Sequence, residues 1–480
     1  MIARVLEPRL PPLALPAVAG VAIGLIAAAA ATTGSLVSVL AVVLILAAVA
    51  AALLGARRLF IAAVVLDIPL MWDINLFYRG DAPYPGGLNV SITTLALAGL
   101  YALWIARALA GRRPAPPLRL REAIAALVYV GLTTLSLAVA EDRTLALFGT
   151  LLLVQSLLVF LYFSSALSRT DLWFVMSALA LGVVLESVAV IASYYVGHDF
   201  AFAGVEGHGY DAEPGSLYRP GGTIGSPNVA GSFLGIVLVP VLMLFVSPVS
   251  RGVRLLAGAA IPLGLVALVL TGSRGGWLAF AVALVVMGLA AANRGLLRPS
   301  VALGGLVLTG LVAILLGDIV VTRLTGDDGG AAASRIPLME IAWEMIRDNT
   351  YFGVGVNNFS VVLPDFVGPR FTGVWVAIVH NQYMLIWAEA GVGALLAFLA
   401  FLAASIRGAW EAARTSDHQL APLAVGCVAA LVGALPNLFV ERFVNRPQIG
   451  LLWLLAALVV VLRVEARRAA ARTAGVAATR

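Results

Sequence analysis

Residues 227–247 form one of several long apolar runs that decide the fold of this chain. They read 227-PNVAGSFLGIVLVPVLMLFVS-247 and contain no charged side chain. About 20 residues of helix are needed to cross the ~30 Å hydrocarbon core of a bilayer. A helix on the surface of a soluble protein would carry a polar face at helical spacing, and this run has none. It therefore predicts a membrane-spanning helix.

Comparable runs recur along the whole chain, which has 480 residues, of which 61% are hydrophobic and 12% are charged. We predict an all-α polytopic membrane protein, a single integral-membrane domain over residues 1–480, with about 12 to 14 transmembrane helices. The third predicted span is short and is either a full crossing or a re-entrant segment. The predicted spans lie near residues 11–31, 36–54, 59–72, 90–108, 122–140, 145–167, 172–196, 227–247, 255–272, 276–292, 301–320, 381–404, 421–437 and 448–463.

The placement of arginine predicts the orientation of these spans. Arg57 and Arg58, Arg112 and Arg113, and the basic tail 464–480 all fall on one side when the spans alternate. Short connections rich in arginine stay in the cytoplasm, so this side is the predicted cytoplasmic one. The net charge of +6 is therefore a topology signal and does not indicate nucleic-acid binding.

The long connections then fall on the extracytoplasmic side, as loops 197–226 and 322–380. Loops of this length are usually functional or disordered. The larger loop contains a segment, 334–349, in which apolar residues recur at helical spacing behind Ser334, a plausible N-cap. We predict a short amphipathic helix lying on the outer membrane surface, with an apolar face formed by Ile336, Met339, Trp343 and Ile346.

His380 lies where the large loop enters the next predicted span, in 378-IVHNQYM-384. Histidine is the side chain that most readily exchanges protons near neutral pH, so His380 is a candidate general base. The alternative is a histidine that simply forms hydrogen bonds at the membrane interface. Tyr383 shares its helical face and is a possible supporting residue.

Three carboxylates fall within predicted spans, where burial of a charge is costly: Asp67, Glu186 and Glu389. Such residues are functional candidates by default, although each can instead be a protonated or paired residue of the core. Glu389 follows His380 by nine residues, which on an ideal helix puts it on the opposite face and ~13 Å away. We therefore interpret Glu389 as a buried residue of helix packing and not as a partner of His380.

Two arginines have surroundings that suit a phosphate. Arg219 precedes a glycine-rich turn and the predicted helix start at Ser226 and Pro227, close to Asn228. Free N–H groups at a helix N-terminus beside a guanidinium bind phosphate well. Arg335 lies in the first turn of the predicted surface helix, where the helix dipole favours an anion. The alternatives are an ordinary glycine turn and an exposed arginine tolerated at small cost.

Weaker signals lie elsewhere on the extracytoplasmic side. Arg274, in 271-TGSRGGW-277, begins a tight helical hairpin and is either structural or anion-binding. Glu441 follows the penultimate predicted span, where it either orients a base or pairs with Arg442 or Arg446. Asp327-Asp328 resembles a metal-binding pair, but solvated loops often contain such pairs, and we predict no metal site.

The ordered set of these motifs resembles the O-antigen ligase and polymerase superfamily, integral-membrane glycosyltransferases of the GT-C type. The resemblance covers roughly residues 200 to 450 and depends on the order, spacing and common sidedness of the motifs. The matching stretches are RPGGTIGSPN (219–228), TGSRGG (271–276), SRIPLMEIAW (334–343), GVGVNNF (353–359), HNQYM (380–384) and EAGVG (389–393).

The resemblance implies glycan transfer at the outer face of the bacterial plasma membrane. The implied donor is a glycan on an undecaprenyl diphosphate carrier, and the implied acceptor is a hydroxyl on a lipid A core sugar or on another carrier-linked glycan. The family uses no nucleotide sugar, and its ligases use no metal or other cofactor. Its essential histidine maps onto His380, its diphosphate-binding arginines onto Arg219 and Arg335, and its late acidic position onto Glu441.

Two other functions remain open. A polysaccharide polymerase of the same superfamily differs from a ligase in its acceptor, and no acceptor motif is visible. A lipid-linked glycan transporter or flippase belongs to a different class. Transporters typically show inverted repeats and polar residues at the membrane midplane. This sequence shows no convincing repeat, and its distinctive polar residues cluster at one predicted face, which favours an enzyme.

Overall fold

The computed structural model describes residues 54–79, 85–110, 116–199, 218–296, most of 305–325, 335–367, 378–414 and 419–478. Two predicted spans, 11–31 and 36–54, lie almost wholly outside these residues, as does much of 301–320. The total number of spans, and the pair Asp327-Asp328, therefore stay predictions.

The described chain is almost entirely helical, and this confirms the prediction of an all-α polytopic membrane protein. The described residues also contain a two-stranded antiparallel hairpin of β1 (Asp73–Leu76) and β2 (Leu88–Ser91). The helices are α1 (Ala56–Leu70), α2 (Ile92–Leu109), α3 (Ile124–Leu135), α4 (Arg143–Ala166), α5 (Arg169–Val196), α6 (Pro227–Val246), α7 (Arg251–Leu270), α8 (Arg274–Ala292), α9 (Gly317–Thr325), α10 (Arg335–Asp348), α11 (Phe359–Val367), α12 (Gln382–Ala413), α13 (Ala421–Val440) and α14 (Arg446–Ala478).

Within the described residues, nine helices are long and apolar enough to cross a membrane: α2, α4–α8 and α12–α14. The third predicted span is the shorter α1, which ends beside Pro69 and leads into β1. The fifth predicted span is also short in the structure. It consists of α3 and the 3₁₀ turn that follows it, Ser136–Ala138. For the predicted spans that the structure describes in full, the boundaries agree with the helices to within a few residues except at α12 and α14, which continue well past their predicted ends. The predicted span 301–320 is described only in part, and α9 begins near its end, at Gly317.

Helices α6, α8 and α13 pack closely against one another. A Cβ atom at Gly276 would collide with the backbone of Gly231, so α6 and α8 approach almost backbone to backbone. Small residues permit such close approach in membranes, where dispersion forces and hydrogen bonds, more than hydrophobic burial, hold helices together. This contact fixes the N-terminal ends of α6 and α8 side by side.

Helix α12 is broken at Gly391, where φ is 81° and ψ is 172°. On a straight helix Tyr383 and Phe398 would lie ~22 Å apart along the axis, yet their ring centroids are 6.5 Å apart. The helix therefore bends sharply, and the predicted single span 381–404 is wrong in this respect. The bend turns the segment before Gly391, and with it His380, in towards the helix bundle.

We expect Gly391→Ala to lower the free energy of unfolding by about 1–3 kcal/mol or more. That is the typical cost of holding a residue other than glycine in a strained backbone conformation with positive φ. A Cβ atom there would also collide with the carbonyl oxygen of Tyr351. Gly393→Ala is the matched control, because the nearest atom to its Cβ is a Leu132 carbon at an ordinary 3.4 Å. Thermal unfolding in detergent measures both, and equal midpoints would argue against a strained hinge.

The predicted surface helix exists as α10, but its packing face differs from the predicted one. Ile336 and Trp343 are 63% and 49% exposed, so two of the four predicted face residues point outward. The buried face is formed by Leu338, Ile341, Ala342, Met345 and Ile346. These residues pack with residues of α11 and α12 in one apolar cluster, so protein neighbours cover this face of the helix. Ser334 lies outside the described residues.

Candidate active site

His380 and Glu441 face each other at the end of the bundle where α12 begins and α13 ends. The Nε2 atom of His380 lies 3.8 Å from Oε1 of Glu441, close enough for an ion pair and too long for a direct hydrogen bond. Glu441 is the C-cap residue of α13 and is buried. The sequence predicts that Glu441 either orients a base or pairs with a neighbouring arginine. In the structure the base candidate, His380, lies opposite the Glu441 carboxylate.

The surroundings of His380 favour its neutral form. Burial lowers the pKa of His380 to about 4, and the positive charges of Arg442 and Arg335 act in the same direction. The carbonyl of Ile378 opposes this shift without cancelling it. The imidazole is therefore unprotonated at neutral pH, which is the state a proton acceptor needs.

Positive charge converges on Glu441. Burial raises the pKa of this carboxyl, while the Arg442 backbone N–H, which donates to Oε1 at 3.1 Å, opposes the shift. The charges of Arg442, Arg335 and Arg219 also favour the ionised carboxylate. Arg219 and Arg335, which lie far apart in the sequence, thus both act on the carboxylate that faces His380.

Arg219 is held beside the starts of two helices. Its Nη2 donates to Oδ1 of Asn228 at 2.6 Å, and its Nε donates to the Thr271 carbonyl at 3.0 Å. Asn228 is in the first turn of α6, and Thr271 immediately precedes the N-cap region of α8. A guanidinium beside two helix N-termini creates a positive environment that suits an anionic ligand.

The supporting candidates Arg274 and Tyr383 lie at the same end of the bundle. Arg274 is the first residue of α8, and a Cβ atom on the adjacent Gly275 would lie 2.8 Å from Oδ1 of Asn437, near the end of α13. The Tyr383 hydroxyl donates to the Leu435 carbonyl at 3.1 Å. Tyr383 therefore ties α12 to α13, and its hydroxyl serves the fold around His380.

Glu389 belongs to the scaffold. One carboxylate oxygen accepts a hydrogen bond from the Phe359 backbone N–H at 3.1 Å, at the start of α11. The backbone carbonyls of Ala388 and of Glu389 itself accept hydrogen bonds from the N–H groups of Val354 and Gly355. These contacts agree with the predicted role of Glu389 in helix packing and hydrogen bonding, while its side chain is half-buried and not fully buried as predicted.

Asp67 is one partner of a buried ion pair. The guanidinium of Arg446 binds the carboxylate of Asp67 and lies 3.2 Å from Oδ2 of Asp73. Thr93 donates to Asp67 from both its backbone N–H and its hydroxyl. The structure thus pairs Arg446 with the end of α1 and with β1, and places His380 opposite Glu441.

We expect Arg446→Ala to lower the free energy of unfolding by about 3–5 kcal/mol, because it leaves buried carboxylates without their counter-charge. Arg467→Ala is the control: Arg467 is exposed and lies 3.6 Å from the partly exposed Glu411. Its loss is expected to change stability by less than about 1 kcal/mol. Thermal unfolding in detergent measures both, and an equally small effect of Arg446→Ala would show that the buried pair contributes little.

Sequence reasoning missed Arg442 and Asp199 as site residues. Arg442 was considered only as a partner for Glu441, and it also lowers the pKa of His380. The Asp199 carboxylate accepts hydrogen bonds from Tyr218 and from the Gly221 backbone, on either side of Arg219. No local signal marks either residue, because their roles come from contacts between distant segments. Within the described residues no group of three or more His, Cys, Asp or Glu side chains is arranged to hold a metal ion.

An apolar helical bundle with a histidine, a carboxylate and several arginines at one end defines a polytopic membrane protein with a charged site at that end. Residues 257–399 match the family model described as O-Antigen ligase. This match confirms the predicted resemblance to the O-antigen ligase and polymerase superfamily and supports a membrane glycosyltransferase of that type. A comparison with curated proteins gives no match.

The matched segment includes Arg274, Arg335, His380 and Tyr383, whereas Arg219 and Glu441 lie outside it. The fold nevertheless brings the charge of Arg219 to bear on Glu441 and places Glu441 opposite His380. The contacts of these two residues therefore link them to the matched segment independently of the family model.

Proposed function

We propose that this protein transfers a glycan from an undecaprenyl diphosphate carrier to an acceptor hydroxyl, such as that of a lipid A core sugar, at the extracytoplasmic face of the bacterial plasma membrane. One observation carries the proposal: a histidine kept neutral by burial faces Glu441, on whose pKa the charges of Arg219, Arg335 and Arg442 act. A proton acceptor beside a cationic site suits the attack of a hydroxyl on a sugar that carries a diphosphate leaving group.

In the proposed reaction, the acceptor oxygen attacks the anomeric carbon from the side opposite the diphosphate. The new bond between carbon and acceptor oxygen forms as the bond between carbon and diphosphate oxygen breaks, and the bonding electrons leave with the diphosphate. His380 takes the hydroxyl proton. Arg219 and Arg335 stabilise the negative charge that grows on the leaving group. Attack from the opposite side inverts the anomeric configuration.

Glu441 completes the proposed mechanism as the partner of His380. Once His380 holds a proton, its imidazolium faces a carboxylate at 3.8 Å. When Glu441 is ionised, its charge stabilises that imidazolium; it faces Nε2, the nitrogen that would take the proton because Nδ1 is buried, and so it does not hold the ring from the opposite nitrogen as the carboxylate of a catalytic triad does. Arg274, Asn228 and Tyr383 support the site by holding the helix ends around it.

The acceptor distinguishes the proposed ligase from a polymerase, and analysis of a strain that lacks the protein identifies it. Loss of glycan from a terminal lipid acceptor, with carrier-linked glycan accumulating outside, indicates a ligase. Single repeats left unextended indicate a polymerase. Carrier-linked glycan confined to the cytoplasmic face indicates a flippase and contradicts the proposal. We also expect transfer by the purified protein to persist in excess EDTA, as the family resemblance implies for a ligase.

The pH dependence of the purified enzyme tests the state of His380. A general base works only when unprotonated, and the pKa of His380 is about 4. We therefore expect kcat/KM to stay level from about pH 6 to 8 and to fall only as the pH drops towards 4. A fall centred near 6.5, the ordinary pKa of histidine, would mean that the imidazole is not held in its neutral form.

A further inference from the structure

The turn that carries Arg219 is held by a carboxylate from the end of α5. Asp199 lies three residues beyond α5, and its Oδ1 accepts a hydrogen bond from the Tyr218 hydroxyl at 2.9 Å. The same oxygen accepts the backbone N–H groups of Gly221 at 3.0 Å and Gly222 at 3.2 Å. Asp199 thus binds the chain on both sides of Arg219.

A second carboxylate from α5 anchors the far end of the same turn. Glu186 is fully buried, and its Oε2 accepts the backbone N–H of Thr223 at 3.3 Å and contacts the Thr223 hydroxyl. Gly222 has a φ of +62°, and a Cβ atom there would collide with Glu186, so the turn fits closely against α5. Glu186, left open as a functional candidate by its sequence position, is therefore part of this support.

The guanidinium of Arg219 then extends from the supported turn towards the helix ends at Asn228 and Thr271. Residues 218–226 form neither helix nor strand in the structure, although one backbone hydrogen bond, from Gly225 to Gly221, closes the turn. A turn without regular secondary structure depends on side chains to fix its path. Asp199 supplies three such hydrogen bonds to groups on either side of the arginine.

We infer that Asp199 is a positioning residue that acts through Arg219: it fixes the 218–222 turn so that the guanidinium meets the diphosphate of the donor. Glu186 anchors the other end of the turn against α5. The inference rests on the proposed function of Arg219, since a diphosphate must bind there for the position of the guanidinium to matter. Asp199 itself need not touch the substrate.

A double-mutant cycle on the purified, full-length protein tests this inference. Asp199→Ala is made in the wild-type and in the Arg219→Ala background, and kcat and KM are measured with a carrier-diphosphate-linked glycan donor. In the wild-type background we expect kcat/KM to fall about 10- to 30-fold, mainly through a higher KM for the donor. A loss of this size lies within the range of coupling energies measured between residues that share contacts. In the Arg219→Ala background the same change should alter kcat/KM less than about twofold, because the residue through which Asp199 acts is already gone.

The outcomes separate the inference from the proposed function. Equal losses in both backgrounds overturn the inference and leave the role of Arg219 intact. If Arg219→Ala itself leaves transfer unchanged, the proposed role of Arg219 fails and the inference fails with it. Binding of undecaprenyl diphosphate alone, measured for the same four proteins, gives a readout of the coupling that does not require turnover.

Two further variants guard against a purely structural effect. Tyr218→Phe removes one hydrogen bond to Asp199 and replaces Asp199→Ala in the cycle if the alanine variant does not fold. It should lower kcat/KM by less than Asp199→Ala does, and this loss should also disappear in the Arg219→Ala background. Asp171→Asn is the matched control at the opposite end of α5, where Asp171 binds Ser168 and lies 3.1 Å from Arg57. Its effect should be the same in both backgrounds, and an effect that vanished with Arg219 would overturn the inference.

Discussion

His380→Ala is expected to lower kcat/KM for glycan transfer by about 10²- to 10⁴-fold, the range typical of a lost general base. The variant should remain folded, because His380 precedes α12 and is only partly buried. Carrier-linked glycan should accumulate in cells that express it. The measurement is transfer by purified protein, with the thermal unfolding midpoint recorded beside it.

Two companion variants define what is lost with His380. His380→Gln keeps a polar side chain that cannot take up a proton in this pH range, so its activity should fall as far as that of the alanine variant. His418→Ala, in a predicted cytoplasmic connection, should behave like the wild type. Normal transfer by either His380 variant would falsify the assignment of the base.

Arg335→Ala is expected to lower kcat/KM by about 10²- to 10³-fold, the scale of a lost donor to a developing negative charge. Arg335→Lys keeps a positive charge but loses the planar fork that binds two phosphate oxygens at once. Its activity should therefore lie between those of the wild type and the alanine variant. Steady-state kinetics with varied donor concentration measure both.

The same variant has a second, independent signature in the pH profile. The charge of Arg335 helps to lower the pKa of His380. Removing that charge makes protonation of the imidazole easier, so the pKa rises and the acid limb of kcat/KM moves to higher pH. Arg347→Ala is the control at the other, exposed end of α10 and should change neither the rate nor the acid limb. An unmoved acid limb in Arg335→Ala would place the arginine away from the base.

Features set by local pattern were predictable from the sequence. Runs such as 227–247 gave the spans because about 20 apolar residues have few alternatives to a membrane helix. The existence of α10 followed from helical spacing. Its buried face did not, because Leu338 and Met345 face protein neighbours that lie later in the chain. Periodicity predicts a helix without saying which neighbour it meets.

The site was predictable in its parts and only partly in its connections. His380, Arg219 and Arg335 came from residue type, local context and resemblance. The partner of each residue depends on long-range contacts. From the sequence, the partner of Glu441 can be a base or either of two arginines, and in the structure Arg446 binds Asp67, 379 positions away. The bend at Gly391 was also missed, since the glycines of EAGVG permit a break in the helix without requiring one.

The central claim is that His380 drives inverting transfer of a glycan from a polyprenyl diphosphate. Product analysis of the wild-type protein in proteoliposomes, supplied with a carrier-linked glycan and an acceptor, tests it most directly. We predict one free undecaprenyl diphosphate for each glycan transferred, with the anomeric configuration of the new bond inverted. Carrier-linked glycan that crosses the membrane intact without transfer, or a product of retained configuration, would contradict the account.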